Sequence, residues 1–247
     1  MAAQTGVPSE LEVQMSSKPN LILIPGLLCS DALFADQISG LSGEANVSVG
    51  RVLKHNNLES LASEILRIAP EKFALAGLSL GGYVAFEVLR QAPERVSKLA
   101  LLNTNARADR GDQVAFRQML IGLAQTLGPR NVQAAALPML IHKSRLGERA
   151  LVDRVLNMAD AVGRDSFVRQ QQAIIDRPDN REFLAEIKCP TVVIVGEQDV
   201  LTPVKVAEEM HNGIAGSKLE VIPDCGHLST MERPEKVNQI LTDWLSA

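Results

Sequence analysis

Residues 73–89, Phe73-Ala-Leu-Ala-Gly77-Leu78-Ser79-Leu80-Gly81-Gly82-Tyr83-Val-Ala-Phe-Glu-Val-Leu89, read as an apolar strand, a sharp turn with serine at its apex, and then a helix. Gly77 and Gly81 stand two residues either side of Ser79 and let the backbone turn tightly enough for the hydroxyl to stand clear. The helix begins at that turn, so its unpaired N–H groups point at the same place. In a chain with 17 glycines the G-x-S-x-G pattern alone is weak. Its place between a strand and a helix gives it weight, and a base and an acid at the same edge would complete it.

Outward from that stretch, short apolar runs alternate with helical patterns. Strands at 20–24, 47–53, 73–76, 96–102, 191–195 and 219–222 are interleaved with helices at 31–38, 58–68, 80–91, 203–211 and 234–245. Solid apolar strands between helices predict an α/β fold, a mostly parallel sheet covered on both faces. Chemistry in such sheets sits beyond the carboxyl ends of the strands. The loops after Ile24, Ala76, Leu102, Val195 and Ile222 are therefore the places to search. Residues 1–18 are small and polar, with a short strand at most, at 11–15.

The interval 105–186 breaks the alternation. It holds helical stretches near 113–127, 131–141, 147–161 and 165–176, with breaks at Gly128-Pro129, Pro138 and Arg177-Pro178, and no strand. The expected organisation is a core of residues 1–104 and 187–247 with a helical lid inserted at 105–186. The insert carries 12 Lys and Arg against 10 Asp and Glu. That excess is either a set of solvated, internally paired helix faces or a rim for an acidic substrate or carrier.

Hydrophobic residues make up 46% and charged residues 22% of the 247, ordinary for a globular chain, and the net charge of −4 gives no general basis for nucleic-acid binding. Cys29, Cys189 and Cys225 are odd in number and lack C-x-x-C spacing, which fits a reducing compartment and argues against disulfides or zinc. Neither a signal peptide nor a membrane span is legible, so the expected location is cytoplasmic.

A serine hydroxyl needs a base, and the base needs an orienting acid. Of four histidines, His55, His142 and His211 fall in polar or helical contexts. His227 follows a late strand and a glycine loop, at the carboxyl edge. Asp199 ends the run Val192-Val-Ile-Val-Gly196-Glu-Gln-Asp199, with Glu197 and Asp224 as rivals; the strand ending Leu102-Asn103-Thr104 offers no carboxylate. The order Ser79, Asp199, His227 suits this kind of sheet. An oxyanion hole needs two backbone donors, expected from Leu80 and from Leu27 in the loop Pro25-Gly26-Leu27-Leu28-Cys29. Cys29 beside it reads first as a small packed thiol. Phe116, Met119, Leu120, Leu123 and Leu127 form either an apolar pocket wall over Ser79 or a packing seam. The polar run Arg169-Gln170-Gln171-Gln172 either binds a carboxylate or faces solvent.

Pro25-Gly26-Leu27, Gly77-Leu78-Ser79-Leu80-Gly81-Gly82, Gly196-Glu-Gln-Asp199, Gly226-His227 and Glu232-Arg-Pro234 together resemble the α/β-hydrolases over nearly the whole chain from Leu21. The small helical insert and G-x-S-L-G-G turn are similar to carboxylesterases that include the pimeloyl-carrier-protein methyl esterase, and to enol-lactonases. Two departures stand out: Pro25-Gly26 replaces the usual His-Gly, and residues 1–18 leave little room for the family's early antiparallel hairpin, giving about six to seven strands. The resemblance implies ester hydrolysis through an acyl-enzyme on Ser79, with no metal or organic cofactor. The expected substrate is a small-molecule ester, free acyl or carrier-bound. The same triad also serves C–C bond hydrolysis or perhydrolysis, and a non-catalytic binding protein on this fold is the third class.

Overall fold

A computed structural model describes residues 18–247, so the strand expected at 11–15 lies outside the described residues. In chain order the elements are β1 (Asn20–Ile24), α1 (Ala35–Gly40), β2 (Asn46–Val49), α2 (Leu58–Ile68), β3 (Phe73–Leu78), α3 (Leu80–Gln91), β4 (Val96–Leu102), α4 (Gly111–Leu127), α5 (Pro129–Leu140), α6 (Arg149–Ile175), β5 (Thr191–Gly196), α7 (Val204–Gly213), β6 (Lys218–Ile222), α8 (Ser229–Glu232) and α9 (Pro234–Ser246). The strands form one six-stranded sheet in the order β2-β1-β3-β4-β5-β6, with every described pairing parallel.

Burial explains the order. Every residue of β3 and β5 is buried, as strands covered on both faces must be, whereas the edge strands β2 and β6 alternate or open to solvent. Successive side chains along a strand leave on opposite faces. Ile22, Leu75, Leu101 and Val193 thus pack with α2, α3 and α7 on one side. Leu21, Leu23, Ala76 and Ile194 meet Phe34, Val237, Leu241 and Trp244 on the other. From β1 the chain runs outward to β2 and then returns across β1 to β3. The reversal places the loops after β1 and β3 side by side, where open sheets of this kind bind ligands.

The whole of α4, α5 and α6 lies between β4 and β5. A separate apolar cluster of Ala124, Val132, Ala159, Val162 and Phe167 includes Leu28, so these helices are anchored on the loop after β1. The two helices expected at 147–161 and 165–176 follow each other within α6, separated by a break at Gly163, whose φ of 74° and ψ of 170° are not helical. Glycine adopts that positive φ without the steric cost of a side chain. The second strand is also shorter than expected. It ends at Val49, because Val52 and Leu53 turn their carbonyls to Gln170 Nε2 and Arg169 Nε of α6, at 3.0 and 2.9 Å, instead of to a strand. No helix among the described residues is long and apolar enough to cross a membrane.

Candidate active site

Four residues other than glycine have positive φ among the described residues, Leu28 (55°), Ser79 (54°), Asn103 (43°) and Asp224 (50°), and each closely follows a sheet strand. Such backbone is strained for a side-chain-bearing residue and persists only where its surroundings fix it. At Ser79 the fixing contacts are visible. Its N–H donates to the Leu102 carbonyl at 3.0 Å, and its own carbonyl accepts from the Thr104 hydroxyl at 2.8 Å. A Cβ on Gly77 would run into the Gly81 carbonyl, and one on Gly81 into the Ile24 carbonyl, so both glycines are required by close approach. Ser79 is the N-cap of α3 and Leu80 its first residue, which leaves the Leu80 N–H without an intrahelical acceptor.

Asp199 lies in the turn after β5, 4% exposed. Its Oδ1 accepts the N–H groups of Leu201 and Thr202, both at 2.9 Å. Its Oδ2 accepts from the Thr202 hydroxyl at 2.6 Å, from Asn103 Nδ2 at 2.9 Å and from His227 Nδ1 at 2.8 Å. Burial alone would raise this carboxyl, but the charge and hydrogen bond of His227, with the Thr202 bonds, outweigh it and hold the group below the ordinary aspartate range. An ionised carboxylate at Nδ1 fixes the proton on that nitrogen, so Nε2 of His227 is the free acceptor. The rivals are elsewhere: Glu197 bonds Gln198, and the Asp224 side chain is 73% exposed. His55, His142 and His211 bond Glu64, Ser144 and Ser217 locally.

The loop bearing His227 is held from the inserted helices. The Leu140 carbonyl, at the end of α5, accepts the N–H groups of both His227 and Leu228 at 3.0 Å. Glu232 accepts from Gly226 N–H at 3.0 Å and from His142 N–H at 2.7 Å, joining the two segments a second time. Burial raises its carboxyl, with those two amide bonds pulling the other way. Asn103 donates to the Gly226 carbonyl and accepts from Ser229, so it braces the acid and the histidine loop together.

Ser79 and His227 open onto one cavity of about 210 Å³, lined also by Gly26, Leu27, Leu28 and Cys29. Leu28 N–H is committed to Gln170 Oε1 at 3.1 Å, whereas the N–H groups of Gly26 and Leu27, both residues of the cavity wall, have no partner among the described hydrogen bonds. Burial pushes the Cys29 thiol up to about 12, against a smaller lowering by the Gly26 backbone, so it is a packed neutral wall group.

Two expectations need correction. Phe116 and Leu120 line the cavity, but Met119 and Leu123 do not; they are 50% and 39% exposed. The residues of α4 that line the cavity are Gln113, Phe116, Arg117 and Leu120; at about 100° per residue Met119 is turned well away from Arg117 and Leu120, and Leu123 lies on the side of Phe116 but about two turns further along the helix. The run 169–172 neither faces solvent as a whole nor forms one anion site. Arg169 and Gln170 clamp the chain after β2, Gln172 bonds Asp176, and only Gln171 reaches the cavity. The bracing roles of Asn103, Gln170 and Glu232 escaped the sequence analysis, since single polar residues bonding across 90 or more positions leave no periodic signal; a carboxamide in place of the acid after β4 was the one available hint.

A switch-point serine turn, a buried Asp–His pair and an all-parallel sheet define a class, and the comparisons agree: a family model for the alpha/beta hydrolase fold matches residues 65–234. The chain belongs to that family. It is 28% identical over 199 residues to a 2-hydroxy-6-oxononadienedioate/2-hydroxy-6-oxononatrienedioate hydrolase of Escherichia coli K12, covering 77% of this chain and 68% of that protein. Among solved structures it is similar to a thermophilic esterase from Thermogutta terrifontis, with a TM-score of 0.86, 27% identity, and 93% and 90% of the two chains covered. The enol-lactonase of Burkholderia xenovorans LB400 shares the fold, at a TM-score of 0.84, 22% identity, and 95% and 94% coverage.

Proposed function

We propose that the protein is a hydrolase of small carboxylic esters that works through an acyl-enzyme on Ser79. Ser79 Oγ attacks the ester carbonyl while His227 Nε2 takes its proton and Asp199 stabilises the imidazolium. The N–H groups of Leu27 and Leu80 hold the oxyanion. Collapse expels the alcohol, which takes the proton back from His227. Water then gives its proton to His227 and its oxygen to the acyl carbon, and the acid leaves as Ser79 regains its proton.

The observation that carries this reading is the 2.8 Å bond from His227 Nδ1 to a buried, multiply held Asp199, beside a cavity that Ser79 shares. A free small ester is favoured over a carrier-bound one, because the arginines of the insert are largely spent. Arg130, Arg145, Arg154 and Arg181 pair with Asp160, Glu148, Asp36 and Asp179. Ser79→Ala is expected to lower kcat on a p-nitrophenyl acyl ester by at least about a thousandfold, with the fold intact by circular dichroism. Near-normal turnover would refute the scheme.

A second reading is favoured by the Escherichia coli relative, whose named substrate carries a ketone and no ester. Attack on a ketone, with C–C cleavage, uses the same serine and histidine. Consumption of an oxo-dienoate in the absence of ester turnover would select it.

A further inference from the structure

The cavity has a polar end that ester hydrolysis does not use. Tyr83 stands in the first turn of α3, four residues after the N-cap Ser79, and lines the same cavity. The Arg177 guanidinium lies over the Tyr83 ring, 4.4 Å from its centre. Beside it is Asp109, with no side-chain exposure, between two arginines: Arg117 Nε donates to Oδ2, and Arg177 Nη2 stands 2.8 Å from Oδ1, off the hydrogen-bond line. Asp109 is the one carboxylate paired with either guanidinium among the described ion pairs, so two positive charges share one negative charge. A buried charge without a counter-ion is costly.

The donors are unequally committed. Arg177 gives Nε to the Arg107 carbonyl and Nη1 to the Ile174 carbonyl, so it is held by its own framework. Arg117 gives Nε to Asp109 and Nη1 to Gln171 Oε1 at 3.0 Å, which leaves Nη2 unassigned among the described hydrogen bonds. Gln171 is fully buried, lines the cavity, and its Nε2 has no acceptor. Gln133 Nε2, 5% exposed on the α5 wall, is a second buried donor without one. Unpaired buried donors together with an excess positive charge call for an anionic acceptor from outside the chain.

We propose that this end of the cavity binds a carboxylate carried by the acyl part of the substrate, with Arg117 Nη2 and Gln171 Nε2 as its donors. The substrate class is then an ω-carboxy acyl ester, such as the half-ester of a short dicarboxylic acid. This rests on the ester-hydrolase reading for the scissile bond, while the anion subsite stands on its own geometry.

The test compares monomethyl adipate with methyl hexanoate, which differ in charge at the far end of a chain of the same carbon number. Wild type should favour the half-ester in kcat/KM by about tenfold or more, the ratio that one charge-assisted bond supplies. That ratio should collapse toward one in Arg117→Gln and, independently, in Gln171→Leu. Adipate should also bind the Ser79→Ala protein in calorimetry more tightly than hexanoate does, with the difference lost on adding Arg117→Gln. If wild type shows no preference, or both variants slow the two esters by the same factor, the cluster is internal bracing and the proposal falls. If neither ester turns over but adipate still binds through Arg117, the subsite stands and the ester-hydrolase reading fails.

Discussion

At the scale of single residues, Asp199 shows how burial and bonding compete. Its carboxyl binds a proton less readily in the folded protein than in the unfolded chain, because the His227 charge and the Thr202 bonds overcome burial. The unfolded chain therefore takes up more protons as pH falls. The stabilisation that Asp199 gives is present above the ordinary aspartate range and is lost as pH drops through its depressed value. Asp199→Asn should remove that acid-side slope in urea-unfolding midpoints measured against pH, and should lower kcat about 10⁴-fold by freeing the histidine tautomer. An unchanged slope would show that the pair with His227 does not hold this carboxyl down.

Elements bring these residues together, and the decisive ones lie in the insert. The kinked helix α6 fixes the loop after β1 through Gln170, whose Oε1 accepts Leu28 N–H and whose Nε2 reaches the Val52 carbonyl, 142 and 118 residues away in sequence. Gln170→Leu would leave both groups unpaired in a buried setting. It should cost about 2–4 kcal/mol of stability, measured by denaturant unfolding, and lower kcat more than it raises KM, because the Leu27 amide is then less well placed. Equal kcat with an unaltered midpoint would contradict the clamp. The end of α5 acts similarly on the other side, through the Leu140 carbonyl and the Glu232 bridge. The inserted helices are therefore part of how the loop after β1 and the histidine loop are positioned.

Over the whole molecule, the sheet, the serine turn and the strand ends that carry Asp199 and His227 were legible because they rest on local signals: fully apolar β3 and β5, and glycines where backbones touch. The cavity wall was less so. The apolar residues of α4 suggested an inward face at Met119 and Leu123, whereas the true inward stripe contains Gln113 and Arg117, polar because that end of the cavity is polar. The braces at Asn103, Gln170 and Glu232 depend on tertiary contacts that no spacing encodes. What unites the scales is the claim that the strained turn after β3 presents Ser79 to His227 as a nucleophile. A fluorophosphonate tests it directly: after incubation, peptide mass spectrometry should find one phosphonyl group on the peptide bearing Ser79, and none in His227→Ala under the same conditions. An unlabelled Ser79 in protein that still cleaves esters, or an adduct on another residue that accounts for the inhibition, would contradict the account.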